Sequence, residues 1–191
     1  MRQICNSFKM KAVSIYITIA TVIISILSGC SGLHDNAHDL LDRAEALMAE
    51  DPDSAIAIIQ SFYPYSQLSE KDKARVGILL CSSRLMQGAT LAYDDILDAS
   101  INYYRTTDDS INLVKAYQLK SFQVEQRNQI DSAVLYIQSA QNIVGEQPSD
   151  IAYALCLRLS NLYSSPLVAK DYPKAIAIAK TSLKYTGDSL K

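Results

Sequence analysis

The chain has no tryptophan, 3 phenylalanines, 6 glycines and 5 prolines in 191 residues. That scarcity argues against an all-β sandwich or barrel, whose frequent tight turns consume glycine, asparagine and proline. Acidic residues are absent before Cys30, where Arg2, Lys9 and Lys11 all lie. Removing that segment takes the 18 basic residues to 15 against 20 acidic ones, a balance of −5. A surface of that sign excludes nucleic acid as the expected partner. The full sequence is 49% hydrophobic and 20% charged, the composition of a folded unit rather than of a disordered chain or a membrane bundle. The 12 tyrosines suit helix seams, where a ring packs and its hydroxyl reaches the wet edge.

The amino terminus is organised for export. Ala12 to Leu27 is a run of 16 largely apolar residues preceded by Lys9 and Lys11 and followed by Ser28-Gly29-Cys30. It is short of the ~20 residues that span a bilayer and has the profile of a signal peptide; an uncleaved anchor is the alternative. Leu27-Ser28-Gly29-Cys30 resembles the bacterial lipobox. The resemblance implies cleavage after Gly29 and lipidation of Cys30, with two or three acyl chains giving permanent membrane attachment. The expected division is a signal peptide over 1–29, a polar tether over 30–38 and a helical domain over 39–191.

That domain reads as successive helix pairs. Leu40, Leu41, Ala44, Leu47 and Met48 share one helical face. Asp51-Pro52 then breaks the chain and opens a second helix to Phe62. Ser69 caps a helix that runs to about Gln87 and ends at Gly88, and Tyr93–Tyr104 is its partner. A third pair covers Ile111–Gln126 and Asp131–Ile143, with Asn128 in a turn that favours left-handed backbone. A fourth covers Pro148–Tyr163 and Tyr172–Tyr185. Ala55, Ala99, Ala133 and Ala175 each fall early in a second helix, separated by 44, 34 and 42 residues. A recurring small residue there lets the helices of a hairpin cross closely. Cys81 and Cys156 lie in apolar stretches of different pairs and are expected as buried free thiols.

The stretch from Tyr117 through Ser121, Val124, Asn128, Ala133, Ile137 and Ala140, and again Leu159-Ser160, Tyr163, Tyr172 and Ala175, resembles the tetratricopeptide repeat. The chain is closest in style to helical-repeat lipoproteins of Bacteroidetes. The resemblance implies an all-α, right-handed solenoid of about four helix pairs, and a closed helical bundle is the alternative. Lys120 departs from the family's leucine, and Ser164–Asp171 lengthens the last turn. Lipoproteins of this kind carry an acidic cluster after the cysteine when displayed outward. With Asp35 alone there, the expectation is a periplasm-facing outer-membrane protein.

No catalytic constellation emerges. His34 and His38 are the only histidines. Their i, i+4 spacing could suit a metal on a helix, but Asp35 stands where the related zinc-hydrolase motif has glutamate, and no metal site or cofactor is expected. A serine nucleophile would lack a positioned base, and Asp94-Asp95 and Asp108-Asp109 read as helix starts favoured by the helix dipole. Binding is therefore expected instead of catalysis. The family resemblance implies a groove lined by first helices, with Lys115, Gln118, Phe122, Glu125 and Asn161 as candidates. Phe122 is either an exposed anchor or a core residue. The expected partner is a protein or peptide held at the envelope. Two other readings are a truncated sensor arm of a signalling or transcriptional regulator, suggested by the uncapped Thr186–Lys191 end, and a glycan- or small-ligand-binding lipoprotein using Tyr63, Tyr65, Tyr103 and Tyr104.

Overall fold

The computed structural model describes residues 32–92, 94–145, 149–165 and 171–185. The chain divides into two compact units, residues 1–39 and 40–191, and of the first only the start of a helix is described. The described residues form eight α-helices and no strand. These are α1 (Gly32–Leu47), α2 (Pro52–Gln60), α3 (Glu70–Met86), α4 (Asp94–Tyr104), α5 (Ser110–Glu125), α6 (Ile130–Val144), α7 (Asp150–Ser164) and α8 (Tyr172–Ser182). Single 3₁₀ turns occupy Tyr65–Gln67 and Leu183–Tyr185.

Local chemistry sets most of these boundaries. The side chains of Asp51, Ser69, Asp109, Ser149 and Asp171 each accept a hydrogen bond from the backbone N–H three residues on, all at 3.1 Å. Each such cap is worth about 1 kcal/mol. Ser69 also donates to the Asp72 carboxylate at 2.6 Å, which ties the first turn of α3 to its cap. Positive φ angles at Gly88 (68°), Asn128 (61°) and Gly145 (71°) turn the chain after α3, α5 and α6. Two boundaries differ most from the sequence expectation, while the helix expected to reach Phe62 ends two residues earlier, at Gln60. The segment expected as a polar tether, 30–38, is helical from Gly32, since no proline or further glycine interrupts the chain until Pro52. The last helix gives way to a 3₁₀ turn at Leu183 instead of continuing to Tyr185.

From α2 onward each helix packs on the next, and α3 also packs on α5. One core cluster runs from Ala74 and Ile78 of α3, through Leu97, Tyr117 and Ile137, to Leu155, Leu159 and Leu162 of α7. Ala55, Ala133 and Ala175 are buried, the last two on the hairpins α5–α6 and α7–α8. Ala99 is not: it is exposed, and the buried residue is its neighbour Ser100. Gly77 of α3 lies opposite. A Cβ there would stand 2.1 Å from Ser100 Oγ and 2.7 Å from the Ile96 carbonyl oxygen, and Ser100 Oγ donates to the Ala74 carbonyl across the seam at 2.7 Å. With Ser100 in place of Ala99, the separations from Ala55 through Ala133 to Ala175 become 45, 33 and 42 residues.

Lys120, the departure from leucine, is buried, with its ammonium 2.6 Å from Asp98 of α4. Its aliphatic stem can replace the apolar residue because the charge has a partner. The buried loop residue Leu91 is held by two glutamines of one face: Gln126 Oε1 accepts from its N–H at 2.8 Å, and Gln123 Nε2 donates to its carbonyl at 3.3 Å. Cys81 and Cys156 are buried free thiols. Burial pushes the Cys156 thiol pKa up, against the hydrogen bond it accepts from Gln141 at 3.4 Å.

Candidate functional site

The residues proposed to line a groove lie on α5 and α7. On α5, Lys115, Gln118, Phe122 and Glu125 follow the 3.6-residue period. They form the open strip of a helix whose other positions, from Val114 to Val124, are mostly buried. Lys115 is exposed, while Gln118, Phe122 and Glu125 are half-buried; Asn161 is exposed on α7.

Charged side chains link the first helices of the pairs across this face. Arg75 of α3 donates to the Asp42 carboxylate and, at 2.8 Å, to Glu45, both on α1. Burial opposes the Arg75 charge, but the hydrogen bonds to Glu45 and Asp42 outweigh it and leave the pKa above its usual value. Lys115 of α5 comes within 3.8 Å of the same Glu45. Arg158 of α7 reaches back to α5, 2.5 Å from Glu125 Oε2 and 3.5 Å from Ser121 Oγ. Solvent-exposed members of such a set contribute only about 0–1 kcal/mol each. Arg158, with its side chain only 11% exposed, is the one most strongly committed.

That arginine decides the status of Phe122. Its guanidinium carbon sits 3.7 Å from the centre of the Phe122 ring, and the ring packs against the core cluster. Phe122 is therefore a platform for Arg158 and not a freely exposed anchor. The structure brings Phe122 and Glu125 together around Arg158, and Lys115 close to Glu45; Asn161 follows Arg158 by three residues on α7. Arg75, Arg158, Asp42 and Glu45 were missed in the sequence, although an isolated arginine in the apolar stretch ALCLRLSNL is a signal that a charge needs a partner.

The tyrosines divide. Tyr104 is buried, and burial, reinforced by the Asp109 carboxylate, pushes its phenol up to about 12. Tyr63 is 76% exposed, and its ring meets that of Tyr65 edge-on at 5.7 Å. Both line a cavity of about 370 Å³ with Gln60, Leu80 and Ile96. A cavity of about 420 Å³ lies between α6, α7, α8 and the last turn, with Gln141, Cys156, Thr181 and Tyr185 on its wall.

Among the described residues no three His, Cys, Asp or Glu side chains converge as a metal site would require, and no helix is long and apolar enough to cross a membrane. Cys30 and the apolar run Ala12–Leu27 lie outside the described residues. The chain matches no known protein family, no curated protein and no solved structure.

Proposed function

We propose that the chain is a tetratricopeptide-repeat lipoprotein of a bacterial envelope, anchored through Cys30 to the periplasmic side of the outer membrane, whose first-helix face holds a protein or peptide partner. The observation that carries the reading is the face itself: the strip Lys115, Gln118, Phe122 and Glu125 on α5, with Asn161 on α7, linked by charged contacts to α1 and α3. A solenoid of four pairs, right-handed as the repeat resemblance implies, is supported as to its pairing by the buried small residues Ala55, Ser100, Ala133 and Ala175 and by the contact of α3 on α5. In such an array each repeat contacts its neighbours.

Crosslinking in intact cells, followed by purification of the tagged chain, tests the binding role. The comparison is with a Lys115→Ala, Asn161→Ala double variant, because both side chains are exposed and their removal leaves the core intact. A specific protein partner recovered with the parent and lost in the variant supports the reading; recovery of none refutes it. Anchoring is read separately: labelled fatty acid should enter the parent chain and not Cys30→Ser, and equal labelling refutes lipidation.

A second reading has one observation in its favour. The edge-on pair Tyr63–Tyr65 beside an open apolar cavity suits a glycan or another small ring-faced ligand. Binding of such a ligand, abolished by Tyr63→Ala while the partner complex persists, would favour it.

A further inference from the structure

The second helices α6 and α8 are counterparts, with Ala133 and Ala175 in the same buried position. Shifting by the 42 residues between them sets Ile130 against Tyr172, Val134 against Ile176, and Ile137 against Ala179. In α6 these positions are closed: Ile130, Val134 and Ile137 are 6%, 9% and 0% exposed, on a helix against which α7 packs. In α8 the same positions are open. Tyr172 and Ile176 are 49% and 54% exposed, Ala179 is half-buried, and the exposed Leu183 prolongs the line. Spacings of four and three residues make them a continuous stripe on a helix, distinct from the face that Ala175 and Ser182 bury.

The margin of the stripe carries charge of one sign. Lys180 and Lys184 are exposed, and at 100° per residue both fall beside the stripe on the side away from Ala175 and Ser182. The corresponding positions in α6 are the uncharged Gln138 and Asn142. The α8 of a second copy carries no acidic residue from Tyr172 to Lys184, so it cannot supply the charge that complements these lysines.

We infer that the outer face of α8 is a docking surface for an amphipathic α-helix of a partner, seated as α7 is seated on α6, with an apolar stripe against Tyr172, Ile176 and Ala179 and acidic residues against Lys180 and Lys184. Helix-in-groove recognition places apolar anchors at this periodicity, and the lysines select the sign of the flank. The surface is separate from the first-helix face, so its failure and that of the partner-binding role are read by different variants.

The test uses the full chain and two stapled helical peptides with the same leucine–alanine stripe, one flanked by glutamates and one by lysines, titrated by fluorescence anisotropy. The glutamate peptide should bind about tenfold more tightly than the lysine peptide. Ile176→Asp, an exposed substitution that circular dichroism should find folded, should weaken it about tenfold more. Lys180→Glu with Lys184→Glu should invert the preference between peptides without touching the stripe. Equal binding of both peptides, or binding indifferent to Ile176→Asp, overturns the proposal. So does sedimentation of the chain alone as a dimer that Ile176→Asp dissociates, which would assign the face to a second copy. In cells, a photo-crosslinker at position 176 should give an adduct that maps to an acidic-flanked helix of another protein; no adduct, or a map to unlike sequence, counts against it.

Discussion

The hairpins α3–α4 and α7–α8 solve the same problem in opposite senses. Each brings two helices close enough for a serine hydroxyl to reach a carbonyl on the opposite helix. In the first, Ser100 of the second helix donates to Ala74 of the first; in the other, Ser160 of the first helix donates to Ala175 of the second at 2.9 Å. The difference lies in the room left over. Gly77 leaves none for even a methyl group, whereas the α7–α8 crossing accepts an alanine, Ala175, on the facing helix. The interior hairpin is thus fixed by shape, and the outer one by a hydrogen bond between helices that still leave apolar surface exposed.

The largest expected effect breaks the shape-limited crossing. Gly77→Ala gains intrinsic helix propensity, yet its methyl group meets Ser100 Oγ and the Ile96 backbone, so the variant should lose about 1–3 kcal/mol in urea unfolding. Ser160→Ala at the other crossing removes one neutral hydrogen bond and creates no clash; a loss of about 1 kcal/mol is expected. Equal losses at the two sites would remove the distinction between them.

A smaller effect appears only in alkali. Tyr104 at the end of α4 has its phenol pKa raised from 10.0 to about 12. Below pH 10 both folded and unfolded chains keep the proton and the contribution is fully present. As pH rises through that value the unfolded chain ionises first, so stability is lost until the folded pKa is passed. The melting temperature should therefore fall between pH 10 and 12 more steeply for the parent than for Tyr104→Phe, and parallel curves would contradict the assignment. The smallest effect, Ala99→Leu at an exposed position, should stay within about 0.5 kcal/mol of the parent, and it sharpens the register by contrast with Ala133→Leu, at the buried counterpart, which should cost as much as Gly77→Ala, about 1–3 kcal/mol.

Those two alanines show where sequence stops being informative. Helix existence was legible because Asp51, Ser69 and Asp109 announce their caps and Asn128 its turn within four residues of the event. The choice between Ala99 and Ser100 was not, since both are small and adjacent; it is settled by Gly77, more than twenty residues away. Lys120 looked like a weak point of the repeat until Asp98 supplied its counter-charge. The candidate face was half legible. Lys115, Gln118, Phe122 and Glu125 were implied by the repeat resemblance and fall on one strip of α5, but the arginines that tie the face together find their acids about 30 residues off, where no local pattern points. Phe122 could be read either way because its exposure is decided by Arg158, on another helix.

The clasp of Gln123 and Gln126 on Leu91 ties a loop to the helix after it. These amides do for one loop residue what a neighbouring strand would do, satisfying both its backbone groups at once, and they exist as a pair only when α5 is wound, since three residues of helix bring them to one face. The α3–α4 connection consequently draws two of its hydrogen bonds from the helix after it. Fraying at the carboxyl end of α5 would therefore release a loop that lies 32–35 residues earlier in the chain.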